Sequence, residues 1–354
     1  MWLNRLCLAT ALAASWPLLS LTPLRAGELS REEIAGPDIQ DRDVQGTPNP
    51  LPDQAVRKEP SERTPEESLR YAHWLLEFSP EKALKEYDAF LGRPENGDLA
   101  LAAHFGRGKA LRSLGRLLEA FEEMEQSFPP MPNTQEIEAR CAIEMEIGKQ
   151  WLALGAKPVS PGGSDPEKNE SGYQAASRVF QAVVYNDPQG ALAPEAILGL
   201  GDAELGLSHF ERAENTYLRL VRDYARSPWS DVARVRAARS MALRHPKEGM
   251  QSSLLLGAEE LLSAVGATPW AYAPAAAEVE ETRKLLNEGR ADEDLARAEF
   301  YLKGPNERAK NAGAYLLRAI QERYAGTPAA TKARERLRAL EGPGTVERTQ
   351  DHAQ

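Results

Sequence analysis

The stretch Gly201–Tyr217, GDAELGLSHFERAENTY, decides the fold. Gly201 stands twelve residues before Ala213, and Tyr217 follows four residues later. The stretch Gly108–Met124, GKALRSLGRLLEAFEEM, keeps both intervals with Gly108, Ala120 and Met124. Small residues at the first two places let two paired helices approach closely. The large residue one turn on then packs the same interface. An active site needs writing once, so a spacing that recurs points to a repeated structural unit.

Working outward, the same spacing fits more of the chain. Ala72 with Ala83 and Tyr87 fits a first unit with a slightly shorter turn. Gly148 with Ala176 and Phe180 fits a third, its turn expanded by AKPVSPGGSDPEKNESG. Ala238 opens a fifth, whose second helix near Leu254–Val265 matches less well. A last, longer pair is predicted from about Tyr272 to Tyr324, closed by a helix over Pro328–Leu340. A hydroxyl or carboxylate followed by proline punctuates these helices, at Thr64-Pro65, Ser79-Pro80, Ser227-Pro228, Thr268-Pro269, Thr327-Pro328 and Asp187-Pro188. The side chain accepts from an orphan backbone N–H, and proline at the first helical position gives up an N–H that had no partner.

The pattern resembles the tetratricopeptide repeat, a helix–turn–helix unit of about 34 residues. The expected fold class is therefore all-α: a helical-repeat solenoid over residues 65–341, with about five to six helix pairs stacked into a superhelix. In that repeat the first helix of each pair lines the inner, concave surface.

Two features narrow the resemblance. One is the phrase Tyr-x-x-Ser/Thr-Pro, present at Tyr224–Pro228 and again at Tyr324–Pro328. The other is Glu293–Gly304, EDLARAEFYLKG, followed by AYLLRAIQERYAGTP. Together with the leader described next, these are similar to the outer-membrane assembly lipoprotein family (BamD, YfiO-like). The resemblance implies a periplasmic solenoid that binds a β-barrel assembly protein and unfolded outer-membrane client peptides, with the late long helix pair contacting the assembly partner. Members of that family carry a lipidated cysteine directly after the signal. Here no cysteine stands near Ala26; the chain's two are Cys7 and Cys141. That departure keeps open a soluble periplasmic scaffold for envelope division or wall synthesis (YbgF/CpoB-like).

The first residues, MWLNRLCLATALAASWPLLSLTPLRAGELS, have a short basic start at Arg5 and an apolar run over Leu6–Leu21. They read as a secretory signal peptide over residues 1–26, cleaved near Ala26. An uncleaved anchor is the alternative, against which Pro17, Pro23 and the short run argue. The expected location is the periplasm or the periplasmic face of the outer membrane. Residues 27–64 are rich in proline and polar side chains and read as a flexible linker, because so little apolar area cannot offset the entropy of ordering. Residues 342–354 read as a disordered tail.

Of the 354 residues, 43 are Lys or Arg and 53 Asp or Glu, a formal net charge of −10 without a basic tract. A chain of this kind is a poor grip for phosphate backbones, so no nucleic acid is expected. No cofactor, metal site or catalytic constellation is expected either. The five histidines, His73, His104, His209, His245 and His352, stand at no metal-ligand spacing. Gly162–Lys168 lacks the phosphate-loop pattern. Asp292, Glu293 and Asp294 read as a solvated face, since adjacent helical residues point apart. The aromatics Trp74, Trp151, Trp229, Tyr217, Tyr224 and Tyr324 read as core, as does Cys141.

One row suggests binding. The residues following Ala72, Gly108, Gly148, Gly201 and Ala238 should face the groove, and they are His73, Lys109, Lys149, Asp202 and Arg239. Arg112 lies one turn after Lys109 and joins it. Such a cationic row, comprising His73, Lys109, Arg112, Lys149 and Arg239, would hold an acidic extended peptide by charge-assisted hydrogen bonds.

Overall fold

Helix caps set the frame. Thr64 Oγ1 accepts from the Glu67 N–H at 3.3 Å, and the Glu67 carboxylate accepts from the Thr64 N–H at 3.0 Å. This reciprocal pair, with Pro65 at the first position, starts α1 (Pro65–Phe78). The computed structural model describes residues 58–128, 134–159, 170–245, 252–267 and 271–341, all within one unit of the chain. The expected signal peptide, most of the expected linker, the tail and the Thr268-Pro269 junction lie outside the described residues. The last stretch of the expected linker, from Lys58, holds to α1. Lys58 Nζ is 2.6 Å from Glu67, and the Arg63 guanidinium sits 3.9 Å above the Tyr71 ring.

After α1 follow α2 (Pro80–Leu91), α3 (Ala100–Ser113), α4 (Leu117–Gln126) and α5 (Thr134–Leu154). Then come α6 (Gly172–Asn186), α7 (Ala193–Gly206), α8 (Phe210–Asp223) and α9 (Ser230–Arg244). The last four are α10 (Ser252–Ser263), α11 (Ala276–Leu302), α12 (Glu307–Arg323) and α13 (Pro328–Glu341). Short 3₁₀ turns cover Pro60–Glu62 and Pro94–Leu99. The described residues are thus all-helical, with no strand among them. Each helix from α1 to α13 packs on the next. Alternate helices also touch: α1 with α3, α3 with α5, α5 with α7, α9 with α11, and α11 with α13.

The helix turns follow the repeat. Gly115, Gly155 and Ser208 all have positive φ, at +74°, +68° and +59°. Each lies seven residues after its small residue, Gly108, Gly148 or Gly201. The left-handed conformation ends the first helix and returns the chain for the second. Two of the expected junctions differ from the sequence reading. Pro228 lies in a turn where Ser227 Oγ accepts from the Trp229 N–H, and α9 begins at Ser230. Asp187-Pro188 lies between α6 and α7 rather than at a helix start, because α7 begins only at Ala193. The base of the expanded α5–α6 turn is pinned by Val159 N–H to Glu170 O and Gly172 N–H to Lys157 O, both 2.9 Å.

Large side chains of the second helices sit on bare backbone of the first. A Cβ at Gly148 would lie 2.7 Å from the Phe180 ring, and one at Gly199 would meet the same ring at 2.7 Å. Phe180 of α6 therefore fills the angle between α5 and α7. A Cβ at Gly201 would likewise collide with the Tyr217 ring, and one at Gly108 with the Met124 thioether methyl. Tyr87, Met124, Phe180 and Tyr217 are all fully or almost fully buried. One apolar cluster runs from Leu69 of α1 to Ala237 of α9. A second joins Ala238 and Ala242 to Leu255, Ala258 and Leu286. A third holds Ala291 and Ala298 with residues of α12 and α13.

One group breaks the apolar pattern. Glu144 of α5 is fully buried, beside the Glu125 carboxylate and the Asn186 amide. Burial, reinforced by the nearby Glu125 carboxylate, pushes its pKa from the ordinary 4.5 up to about 9. Beside it the Cys141 thiol is buried too and pushed up to about 12.

Two measurements check this packing. Gly201→Val forces a branched side chain into the Tyr217 ring and is expected to cost about 2–4 kcal/mol in urea unfolding. Gly97→Ala, with open space around it, serves as the near-neutral comparison, and equal losses would refute the packing account. The second concerns Glu144. An unfolded Glu144 ionises near 4.5 while the folded one keeps its proton to about 9, so stability falls as pH rises across that window and levels off above it. Glu144→Gln is expected to flatten this slope and to gain on the order of 2–3 kcal/mol near pH 8. An unchanged pH profile of the melting temperature would count against it.

Candidate functional site

All five residues of the expected cationic row stand on helices of the alternating set. His73 is on α1, Lys109 and Arg112 on α3, Lys149 on α5 and Arg239 on α9. Of these helices α1, α3 and α5 touch in succession, α5 also touches α7, and α9 touches α11. The repeat places their small residues against the second helices and turns the following residue away from that contact.

Their surroundings are more acidic than the sequence reading expected. Arg112 forms an ion pair with Glu146 across α3 and α5. Lys149 Nζ lies 2.8 Å from Glu195 across α5 and α7. Arg239 Nη1 lies 3.3 Å from Glu281 across α9 and α11. His73 Nδ1 is 2.9 Å from Leu69 O and its ring meets Tyr87 edge-on. The Lys109 ammonium is 5.7 Å from the centre of the Phe105 ring. Instead of a plain cationic strip, the structure brings together a ladder of opposite charges between successive first helices.

The ladder's strongest rung joins four helices. Tyr217 of α8 donates to Asp202 Oδ1 at 2.6 Å. Arg236 of α9 donates to Asp202 Oδ2 at 2.6 Å and to Glu278 of α11 at 2.9 Å. Burial raises the Asp202 carboxyl against the pull of Arg236 and Tyr217. Burial and the Asp202 charge push the Tyr217 phenol well above its ordinary range. Burial opposes the Arg236 charge too, but Asp202 and Glu278 outweigh it and raise its pKa. The sequence reading placed Asp202 in the row and missed Arg236, Glu146, Glu195, Glu278 and Glu281. The signal was available: Glu146 and Arg236 both stand two residues before a small residue of the repeat.

A second set of groups corrects an expectation. Asp292 is exposed, but Glu293 and Asp294 are largely covered and hydrogen-bonded rather than solvated. Glu293 Oε1 accepts from Ser252 Oγ at 2.8 Å and lies 2.9 Å from Nε2 of the buried His245. Asp294 accepts from the Tyr324 hydroxyl at 3.1 Å. The packing of α9, α10 and α12 around α11 makes these contacts, which adjacency in sequence does not reveal. Hydroxyl and imidazole both address one carboxylate oxygen and not each other, so the trio lacks the relay a nucleophilic serine needs.

The two kinds of rung differ in burial, and this sets their energetic weight. The side chains of Arg236 and Asp202 are 21% and 24% exposed, whereas that of Lys149 is 53% exposed. Arg236→Gln leaves Asp202 and Glu278 without their cation and is expected to lower stability by about 2–4 kcal/mol. Lys149→Gln removes an exposed pair and is expected to change it by less than about 0.5 kcal/mol. Equal shifts in thermal unfolding would contradict this ranking.

Compared with known proteins, the chain matches no family model and no curated relative.

Proposed function

We propose that the chain is a non-catalytic, protein-binding solenoid of tetratricopeptide type, acting in the cell envelope as a component of outer-membrane β-barrel assembly. In this reading it works on the periplasmic face of the outer membrane, reached through partners. An extended segment of an unfolded outer-membrane client lies along the first helices, and the C-terminal pair α11–α12 docks the β-barrel assembly protein. The observation that carries the reading is the charge ladder on helices that touch two apart. Its exposed rungs, such as Arg112 with Glu146 and Lys149 with Glu195, hold their partners weakly in water. An incoming peptide with its own carboxylates exchanges with those partners at small cost, and the helices stay where they are. The resemblance of Tyr224–Pro228, Tyr324–Pro328 and Glu293–Gly304 to the assembly lipoprotein family supplies the narrower assignment.

A second reading rests on a specific departure. No cysteine stands near Ala26 to carry the lipid of that family, which favours a periplasmic scaffold coordinating division or wall synthesis.

In-cell crosslinking and pull-down of the tagged full-length protein, read by mass spectrometry, separates the two. Enrichment of a β-barrel assembly protein with nascent outer-membrane proteins is expected. Recovery of wall-synthesis or division proteins without the barrel machinery would replace the first reading with the second. Replacing Lys109, Arg112 and Lys149 together by Glu is expected to weaken client capture more than tenfold with helicity unchanged. Unaltered capture would end the groove assignment.

A further inference from the structure

The apolar core is interrupted on α11. Leu286 belongs to the cluster with α9 and α10, and Ala291 to the cluster with α12 and α13. Between α10, α11 and the end of α12 lies a cavity of about 260 Å³ lined mainly by polar and charged side chains. Three arginines reach it: Arg290 and Arg297 from α11, and Arg323 from the end of α12. Guanidinium groups keep their charge at any physiological pH, so the cavity holds three permanent cations.

The two carboxylates at this cavity are committed inward. Glu293 takes Ser252 Oγ and His245 Nε2, and Asp294 takes the Tyr324 hydroxyl and Arg297 at 3.2 Å. The donors, by contrast, are in surplus. Arg290 gives one nitrogen to Glu259, while its Nε is buried with no acceptor. Arg323 has no carboxylate partner among the described residues; its guanidinium hydrogen-bonds the Tyr324 phenol and lies 6.0 Å from the centre of that ring. Three guanidiniums from two helices line one cavity, each with more N–H groups than its protein partner takes, and a phosphate has oxygens enough to accept from all three where a carboxylate has two. The volume admits a compact head group and excludes a folded partner.

We propose that this cavity is an oxyanion site that takes a phosphate monoester or diester, with Arg290, Arg297 and Arg323 as its donors. The site is separate from the charge ladder and does not depend on the peptide-capture reading. Phosphate of this kind reaches a protein either on a small soluble ester or on a lipid head group, and the test distinguishes them.

Titration calorimetry of the full-length protein at low ionic strength, with inorganic phosphate and with glycerol 3-phosphate, is the first arm. Co-sedimentation with phosphatidylglycerol vesicles, against phosphatidylcholine vesicles, is the second. Saturable binding of the soluble probes identifies a soluble ester. Sedimentation with phosphatidylglycerol alone identifies a head group. In either case the double change Arg297→Gln with Arg323→Gln is expected to weaken binding about tenfold or more. Ser252→Leu, which narrows the cavity and leaves its charge alone, is expected to weaken it as well. Arg226→Gln, an exposed arginine on the loop after α8, is expected to leave binding unchanged, and circular dichroism verifies that each variant is folded. No saturable binding in either arm overturns the proposal. So does binding that survives the double change, or that falls equally in the Arg226 variant.

Discussion

The structure depends on aromatic or thioether side chains seated on residues that have almost no side chain. Phe180 touches Gly148 and Gly199 at once, so a single ring sets the distance between α5, α6 and α7. Tyr217 on Gly201 and Met124 on Gly108 repeat the arrangement. A methyl group at any of these glycines would fall well inside van der Waals contact. Close packing of this kind carries a core in which alanines are interleaved with leucine, isoleucine and valine. The left-handed residues Gly115, Gly155 and Ser208 follow from the same constraint, since a helix pair with a fixed contact must turn at a fixed place.

With the helix spacing set, the charges on the alternate helices acquire their roles. Arg236 reaches Asp202 of α7 on one side and Glu278 of α11 on the other, and Tyr217, seated on Gly201, holds Asp202 from below. The rung at Arg236 is the more covered and is part of the scaffold, while those at Arg112 and Lys149 stand more open to solvent. Under the proposed capture of a client peptide, this division within one row of residues would let the scaffold stay fixed while the outer pairs exchange.

The periodic elements were legible in the sequence for a physical reason. Small residues at helix contacts, proline at helix starts and a large residue one turn on are local requirements, so Gly108, Gly148, Gly201 and their partners announced the pairs directly. The closing helix was read to within a residue or so, and the poorly matched second helix after Ala238 proved to be α10. What adjacency hides was not legible. Glu293 and Asp294 looked solvated because neighbouring helical residues point apart, yet α10 and α12 cover both sides of α11 there. The residues of the cationic row stand on first helices, but their carboxylate partners come from the next first helix, some forty residues away in most rungs. Glu144 gave no signal at all, since a glutamate in an amphipathic helix normally faces water.

The interruption of the core on α11 has a mechanical consequence. At a rise of about 1.5 Å per residue, its 27 residues make a rod of roughly 40 Å. One half is anchored among α9 and α10, the other among α12 and α13. Between the two halves, Leu255 and the buried His245 close on Gly289, and Glu293 ties α11 to His245 and to Ser252 of α10. α11 is then a strut shared by two apolar clusters, and a displacement of α12 reaches α9 along it.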